Sequence, residues 1–223
     1  MLKITCKIPT KNLPIKRVLA RLTQSFIYHQ LDKKVHQGYQ HSSGKIFKAL
    51  NFRVQYDKFD LTINITSLDP QNERIIAKKI LLDQALKLGE ITLTDIAVQL
   101  VERNTTQNRL KLKGFVAVDI RDGESLKRKI YIEPKTNKFQ EIIKNSSMQK
   151  YETFFGEAYE GEFELKVISQ KDKPKLFFYN KQPIKSWFGV YEIKATSKML
   201  NMILSVGIGK DTMKNLGYLE VIE

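Results

Sequence analysis

Side chains that could move protons or stabilise a phosphate are concentrated in one segment, which contains Tyr28, His29, His36, His41, Lys45 and Lys48. All three histidines of the chain fall within it. Histidine has an unperturbed pKa of ~6.5, so it can serve as a general base or acid near neutral pH. A tyrosine hydroxyl can donate or accept a hydrogen bond, and a lysine can place a positive charge beside a phosphate. Because the ribose 2′-hydroxyl is itself a nucleophile, these residue types could cleave RNA without a metal ion.

The charge of the chain favours a polyanionic partner. There are 38 Lys+Arg against 24 Asp+Glu, which gives a formal net charge of +14. Such a surplus is typical of proteins that bind nucleic acid. Two basic clusters, at residues 127–129 and 171–175, could contact phosphates or simply face solvent. The aromatic signature of an RNA-recognition motif is not recognisable, so base stacking on a sheet is not predicted.

The length and composition indicate a folded protein with a substantial core. A chain of 223 residues with 42% hydrophobic content could form one large domain or two of about 100 residues each. Cys6 is the single cysteine, which excludes an intrachain disulfide and suits a reducing compartment. No segment resembles a signal peptide or approaches the ~18 apolar residues of a membrane span. The sequence therefore predicts a cytoplasmic protein without a membrane partner.

The apolar periodicity predicts a similar set of elements in each half. In the first half the predicted elements are a strand at 2–8, a helix at 15–31, strands at 49–56 and 60–67, a helix at 71–88 and a strand at 91–102. This is the order of a ferredoxin-like unit. In the second half they are a hairpin of 114–120 with 127–132, a helix from 139 towards 155, strands at 162–169 and 187–196, a helix capped by Ser197 and a strand at 217–222. We predict an α+β protein of two tandem ferredoxin-like domains, at 1–103 and 109–223.

Glycines and lysines are interspersed in the carboxyl-terminal segment ILSVGIGKDTMKNLGYLEV, at Gly207, Gly209, Lys210, Lys214 and Gly217. A P-loop would need Ser or Thr directly after its lysine, and Asp211 stands there instead. The dinucleotide fingerprint also fails, because no glycine follows three residues after Gly209. Two interpretations stay open: a structural turn, or a backbone surface whose amides and lysines approach phosphates.

This ending resembles the glycine-rich terminal segment of the CRISPR-associated endoribonucleases that process precursor CRISPR RNA, within the repeat-associated mysterious protein superfamily. The segment FIYHQL followed by VHQGYQHSSGKIFKALNF is similar to that family's helix-borne Tyr, loop His and following Lys ahead of an aromatic strand. The resemblance implies two ferredoxin-like domains and metal-independent cleavage within each CRISPR repeat RNA. The expected products carry a 2′,3′-cyclic phosphate and a 5′-hydroxyl, and no cofactor is expected.

The resemblance also implies particular site residues. Tyr28 matches the helix tyrosine, His36 the loop histidine and Lys48 the lysine before the strand, and the glycines and lysines of residues 207–217 match the RNA-binding segment. Two departures matter. The loop from His36 to Lys48 is longer than is common, which leaves His41 and Lys45 as rivals, and Leu219 stands where a final glycine is often found.

Three alternatives stay open at the level of sequence. Tyr28 could merely close a helix end, and His29, close to the apolar stripe of its helix, is expected to be a buried imidazole. A zinc site of His29, His36 and His41 is disfavoured, because no second cysteine or helical His pair supports it. The protein could also be a non-catalytic RNA-binding member of the superfamily. The sequence leaves open the oligomeric state and any contact with proteins of a CRISPR effector complex.

Overall fold

The first half of the chain forms an α+β unit around a four-stranded antiparallel sheet. The computed structural model describes residues 1–8, 18–121, 129–180 and 182–222. The elements of the first half are β1 (Leu2–Lys7), α1 (Leu19–Gln30), α2 (Lys33–Gln37), β2 (Tyr39–Gln40), β3 (Ile46–Phe47), β4 (Leu50–Asp57), β5 (Asp60–Ser67), α3 (Pro70–Asp83), β6 (Leu86–Leu88), β7 (Ile91–Leu93) and β8 (Ala97–Leu100). The main sheet has the order β4-β5-β1-β8. Numbered along the chain within the ferredoxin-like unit, the four strands of this sheet lie in the order second, third, first and fourth.

The second half repeats this plan. Its elements are β9 (Arg109–Val116), β10 (Asp119–Arg121), β11 (Lys129–Tyr131), α4 (Asn137–Phe155), β12 (Glu164–Gln170), β13 (Lys175–Tyr179), β14 (Gln182–Lys194), α5 (Ser197–Val206), a 3₁₀ turn (Thr212–Lys214) and β15 (Glu220–Ile222). The sheet runs β12-β14-β9-β15, and β13 extends it by pairing with β14. The prediction of two tandem ferredoxin-like folds is confirmed, while the boundaries 1–103 and 109–223 remain predictions.

Alternation along the strands explains the two cores. In β1, Leu2, Ile4 and Cys6 are buried while the residues between them are half-buried or exposed. The buried side of this sheet packs on α1 and α3, and the buried side of the second sheet packs on α4 and α5. Met213 of the 3₁₀ turn packs into the first core although it follows α5 of the second unit. The carboxyl-terminal segment therefore connects the two units.

Several predicted elements differ from the observed ones. The predicted helix at 71–88 ends at Asp83, because Gln84 adopts a left-handed conformation and Leu86 and Leu88 instead face the core from β6. The helix near the carboxyl end is capped by the hydroxyl of Thr196, which accepts a hydrogen bond from the amide of Met199 at 3.3 Å, rather than by Ser197. A left-handed backbone residue therefore ends the first helix, and a side-chain hydrogen bond determines where the second helix begins.

Some predicted features lie outside the described residues. These are the start of the helix predicted at 15–31, the turn of the hairpin predicted from 114–120 and 127–132, and Lys127 and Arg128 of the basic cluster at 127–129. Among the residues that the structure does describe, none of the helices combines the length and apolarity that a membrane span requires.

Candidate active site

Tyr28 of helix α1 is half-buried and packs against the core of the first unit. Leu19, Thr23, Phe26 and Ile27 are the buried residues of this helix. Burial, and to a smaller extent the nearby Tyr179, raise the pKa of Tyr28 to about 12. Its hydroxyl therefore stays protonated at neutral pH and can donate a hydrogen bond or a proton.

His36 lies on the short helix α2, and not on a loop as predicted. Its imidazole centroid is 4.3 Å from that of the Tyr28 ring, with an interplanar angle of 34°. Gly38 ends α2 with φ of +82°, and its amide donates to the carbonyl of Lys34. A side chain at Gly38 would meet the carbonyl oxygen of Phe47 at 2.6 Å. This glycine therefore allows α2 to lie directly against β3, the strand that precedes Lys48.

Lys48 lies next to both Tyr28 and His36. Its ammonium donates hydrogen bonds to the carbonyl oxygens of His36 and Gln37, the second at 2.9 Å, and lies 6.0 Å from the centroid of the Tyr28 ring. A cation is favourable at this carboxyl end of α2, where the last carbonyls are otherwise unpaired. Burial lowers the pKa of Lys48. The structure therefore brings together Tyr28, His36 and Lys48, the three residues that the resemblance implies.

The rival residues have other partners. The imidazole of His41 is buried, with Nδ1 2.8 Å from the hydroxyl of Ser43 and Nε2 3.3 Å from a carboxylate oxygen of Glu152. Lys45 is exposed and donates to the side-chain oxygen of Gln149 at 2.8 Å. Both residues therefore connect the first unit to α4. Hydrogen bonds at both ring nitrogens leave His41 less free to move a proton than the exposed His36.

His29 is exposed, which corrects the prediction that its imidazole is buried. The buried stripe of α1 is centred near Thr23 and Phe26, so His29 lies at its edge. Its Nδ1 is 2.6 Å from the backbone carbonyl oxygen of Ser25. The three histidines have separate partners and do not form the zinc site considered above. Across the described ranges no group of three His, Cys, Asp or Glu side chains is placed to hold a metal ion.

A cavity of about 680 Å³ lies beside this group, between the two units. Tyr28 and Lys48 line one side, and residues 209–214 of the glycine-rich segment line the other. Further lysines around it are Lys45, Lys138, Lys150, Lys210 and Lys214. A concave site with this excess of positive charge is suited to a phosphodiester chain.

The glycines of the carboxyl-terminal segment lie close to other parts of the protein. Gly207, Gly209 and Gly217 all have φ between +72° and +74°. A Cβ atom would meet the side-chain nitrogen of Asn51 at 2.2 Å from Gly207, and the carbonyl oxygen of Ala117 at 2.7 Å from Gly209. This packing explains why glycine is needed at these positions. Contact between them and RNA remains a prediction.

The lysines of the same segment have carboxylate partners. Lys210 donates to the backbone and side-chain oxygens of Asp119 at 2.6 and 2.9 Å, and Lys214 pairs with Asp211 at 2.7 Å. Sequence reasoning missed Lys150, which is buried in α4 and donates to the carbonyl of Gly207 at 2.8 Å. Burial lowers the pKa of Lys150 to about 8. Sequence reasoning also missed Gln24, which lies one turn before Tyr28 and accepts a hydrogen bond from the hydroxyl of Tyr179.

We expect Gly207→Ala to destabilise the protein more than Gly156→Ala. Both glycines have positive φ, but the Cβ at Gly156 would meet nothing within 4 Å. The backbone of Gly207, with ψ of 178°, lies in a region essentially confined to glycine, where strain costs about 1–3 kcal/mol before any clash. Left-handed strain at Gly156 costs about 1–2 kcal/mol. Free energies of unfolding from urea titration test the ranking, and equal losses would contradict this account.

Comparison with known proteins identifies a family and a fold. The sequence model of the family described as CRISPR associated protein Cas6, C-terminal, matches residues 101–221. A search of curated proteins finds no match. A structure described as that of a Cas6-related gene from Pyrococcus furiosus is 16% identical, covers 100% of this chain and 98% of its own, and has a TM-score of 0.73.

Two further solved structures have the same fold. A protein described as a RAMP protein binding different RNA substrates is 17% identical, covers 100% of this chain and 99% of its own, and has a TM-score of 0.69. The CRISPR endoribonuclease Cse3 bound to a 19-nucleotide RNA is 8% identical, with coverages of 100% and 98% and a TM-score of 0.53. At sequence identities this low, the structural similarity establishes the fold and nothing more.

Proposed function

Because the chain belongs to the Cas6 family of CRISPR-associated proteins, we propose that it is a metal-independent endoribonuclease that cleaves precursor CRISPR RNA within the repeats. The observation that carries the proposal is the meeting of Tyr28, His36 and Lys48 beside a basic cavity. The Cse3 structure, described as a CRISPR endoribonuclease bound to RNA, supports the same class of activity for this fold.

The reaction requires removal of the 2′-hydroxyl proton, attack of that oxygen on the adjacent phosphorus and protonation of the departing 5′-oxygen. His36 is the group suited to act as general base, because its imidazole is exposed beside Tyr28 and a ring nitrogen can accept a proton. Tyr28 stays protonated because of its raised pKa, so it can donate to the leaving oxygen or hold the ribose. The charge of Lys48 stabilises the phosphorane. The products are a 2′,3′-cyclic phosphate and a 5′-hydroxyl.

CRISPR repeat RNA is the partner that fits the surroundings of this group. Lysines from both units line the cavity, and the formal net charge of the chain is +14. Counterion release makes such binding weaker as salt rises. In this proposal the cavity holds the sugar-phosphate backbone on either side of the cleaved bond, while residues 207–217 contact the RNA from the second unit.

A second candidate is an RNA-binding protein of the same superfamily that does not cut. One observation favours it: two of the three ammonium protons of Lys48 already engage the carbonyls of α2. A lysine used in this way could be purely structural, because it also satisfies the carboxyl end of that helix. Cleavage itself distinguishes the two candidates.

We expect repeat RNA to be cleaved at full rate after divalent metal has been removed with EDTA, because none of the proposed roles uses a metal ion. The measurement is single-turnover cleavage with and without EDTA, followed by analysis of the product ends. Discrete products ending in a cyclic phosphate support the endoribonuclease. Tight binding of the RNA without cleavage in either condition would favour the non-catalytic candidate. Loss of cleavage in EDTA, with recovery of cleavage when one metal ion is added back, would overturn the metal-independent mechanism.

A further inference from the structure

The second sheet has one face that its helices do not cover. Leu112 of β9 and Tyr191 of β14 are register partners on the face that packs on the helices. Phe115 and Phe188 are likewise partners, but the alternation of the strands places them on the opposite face. Their ring centroids are 5.1 Å apart, with an interplanar angle of 65°.

Strand β13 adds a third phenylalanine to this face. The ring of Phe177 lies 5.1 Å from that of Phe115 at an angle of 71°. All three phenylalanines are half-buried, so part of each ring is open to solvent. In these near-perpendicular pairs the edge of one ring lies against the face of the other. We call Phe115, Phe177 and Phe188 the phenylalanine platform.

Two cations border the platform. The ammonium of Lys175 lies 5.4 Å from the ring centroids of both Phe115 and Phe177. The guanidinium of Arg53, which comes from β4 of the first unit, lies 5.1 Å from the Phe115 ring. Aromatic faces bordered by positive charges match an unpaired nucleotide, whose base can stack while its phosphate is neutralised.

The platform is connected to the candidate active site through β13. Lys175, Phe177 and Tyr179 alternate along that strand and therefore share a face. The hydroxyl of Tyr179 donates to the side chain of Gln24, which lies on α1 one turn before Tyr28. A single RNA strand that follows β13 would therefore run from the platform towards Tyr28.

We propose that the phenylalanine platform binds unpaired nucleotides of RNA by base stacking, and so holds the strand that leads to the cleaved bond. The proposal rests on the proposed function. The spacing of Phe177 and Tyr179 along the strand is ~6.6 Å, about twice the rise per nucleotide of a duplex strand. Successive bases are therefore drawn apart and stack on protein rings, which selects single-stranded over paired RNA.

The test compares two neighbouring phenylalanines. Phe177→Leu keeps an apolar side chain over the small buried group of Ala117, Ile184 and Leu216, against which Phe177 packs, but it removes the ring. Phe177→Tyr restores a ring. Phe178→Leu is the matched control, because Phe178 is 55% exposed on the same strand and points to the opposite face.

The probe is a fluorescently labelled single-stranded oligoadenylate, with double-stranded RNA as the comparison. We expect Phe177→Leu to weaken oligoadenylate binding by roughly 5- to 150-fold, the range for loss of one base–aromatic stack. Phe177→Tyr should bind like the original protein, as should Phe178→Leu, and duplex affinity should change little. Unchanged affinity in Phe177→Leu, or an equal loss in Phe178→Leu, would overturn the proposal.

A second variant keeps the test valid if Phe177→Leu fails to fold. Lys175 is exposed, so Lys175→Gln should fold normally. It should lower the slope of log affinity against log salt by about 0.7, the value for one phosphate contact to a single strand. Lys79→Gln, on the outer surface of α3, should leave the slope unchanged. Equal slopes for Lys175→Gln and the original protein would count against the platform.

Binding of oligoadenylate is independent of cleavage, so the two proposals fail in different ways. If the unmodified protein leaves repeat RNA intact but Phe177→Leu still loses oligoadenylate affinity, the platform is supported and the endoribonuclease is not. If repeat RNA is cut and Phe177→Leu binds oligoadenylate normally, only the platform is overturned.

Discussion

His36→Ala is expected to slow the cleavage of repeat RNA by about 10²- to 10⁴-fold, the usual contribution of one general acid or base. The affinity for RNA should stay nearly the same, because the imidazole is exposed at the edge of the site and the lysines around the cavity supply the contacts to phosphate. A loss confined to the chemical step should appear in the single-turnover rate at saturating protein. The measurement is therefore made alongside direct binding of an RNA with a 2′-deoxy substitution at the cleavage position.

His29→Ala is the matched control for this prediction. His29 is exposed on the neighbouring helix and interacts with the backbone of Ser25, so its loss should change neither rate nor affinity. His41→Ala should act mainly on stability, because it removes a buried ring that contacts Ser43 and Glu152. An active His36→Ala protein beside an inactive but folded His41→Ala protein would transfer the role of general base to His41. Normal cleavage by all three variants would remove histidine from the mechanism.

The fold could be predicted from sequence because its long elements carry strong periodicity. The alternating strand at 2–8 and the apolar stripe of α1 are local patterns, and their order alone suggests the ferredoxin-like unit. The five-residue helix α2 has no comparable signal, since a helix of one turn and a half cannot show an amphipathic repeat. His36 was therefore expected on a loop, although its identity as a site residue came from its resemblance to the family.

The geometry of the site depends on contacts that are distant in sequence. The partners His41 and Glu152 are separated by 111 positions, and Lys150 and Gly207 by 57. No local pattern specifies such pairs, so the sequence left His41 and His36 as rivals. In the same way, the clustering of Phe115, Phe177 and Phe188 depends on the register of three strands, which explains why a linear aromatic motif was not recognisable.

Lys48→Met should reduce the cleavage rate by about 10²- to 10³-fold, the effect of removing one group that stabilises developing charge. Methionine keeps much of the apolar stem but removes both the charge and the hydrogen bonds to the carbonyls of His36 and Gln37. Lys45→Met is the matched control, because Lys45 lines the same cavity but interacts with Gln149. An equal loss in Lys45→Met, or a normal rate in Lys48→Met, would contradict the assignment.

The pH dependence of the cleavage rate distinguishes two roles for Lys48: stabilising the phosphorane with its positive charge, or only holding the structure in place. Burial lowers the pKa of Lys48, so its positive charge is lost at a lower pH than that of an exposed lysine. If that charge takes part in catalysis, the rate should fall on the alkaline side within this lowered range. In Lys48→Arg the guanidinium stays charged, so the residual activity should continue to higher pH. An alkaline limb that stays in place in Lys48→Arg would contradict this prediction, because the limb would then come from another group, such as the hydroxyl of Tyr28.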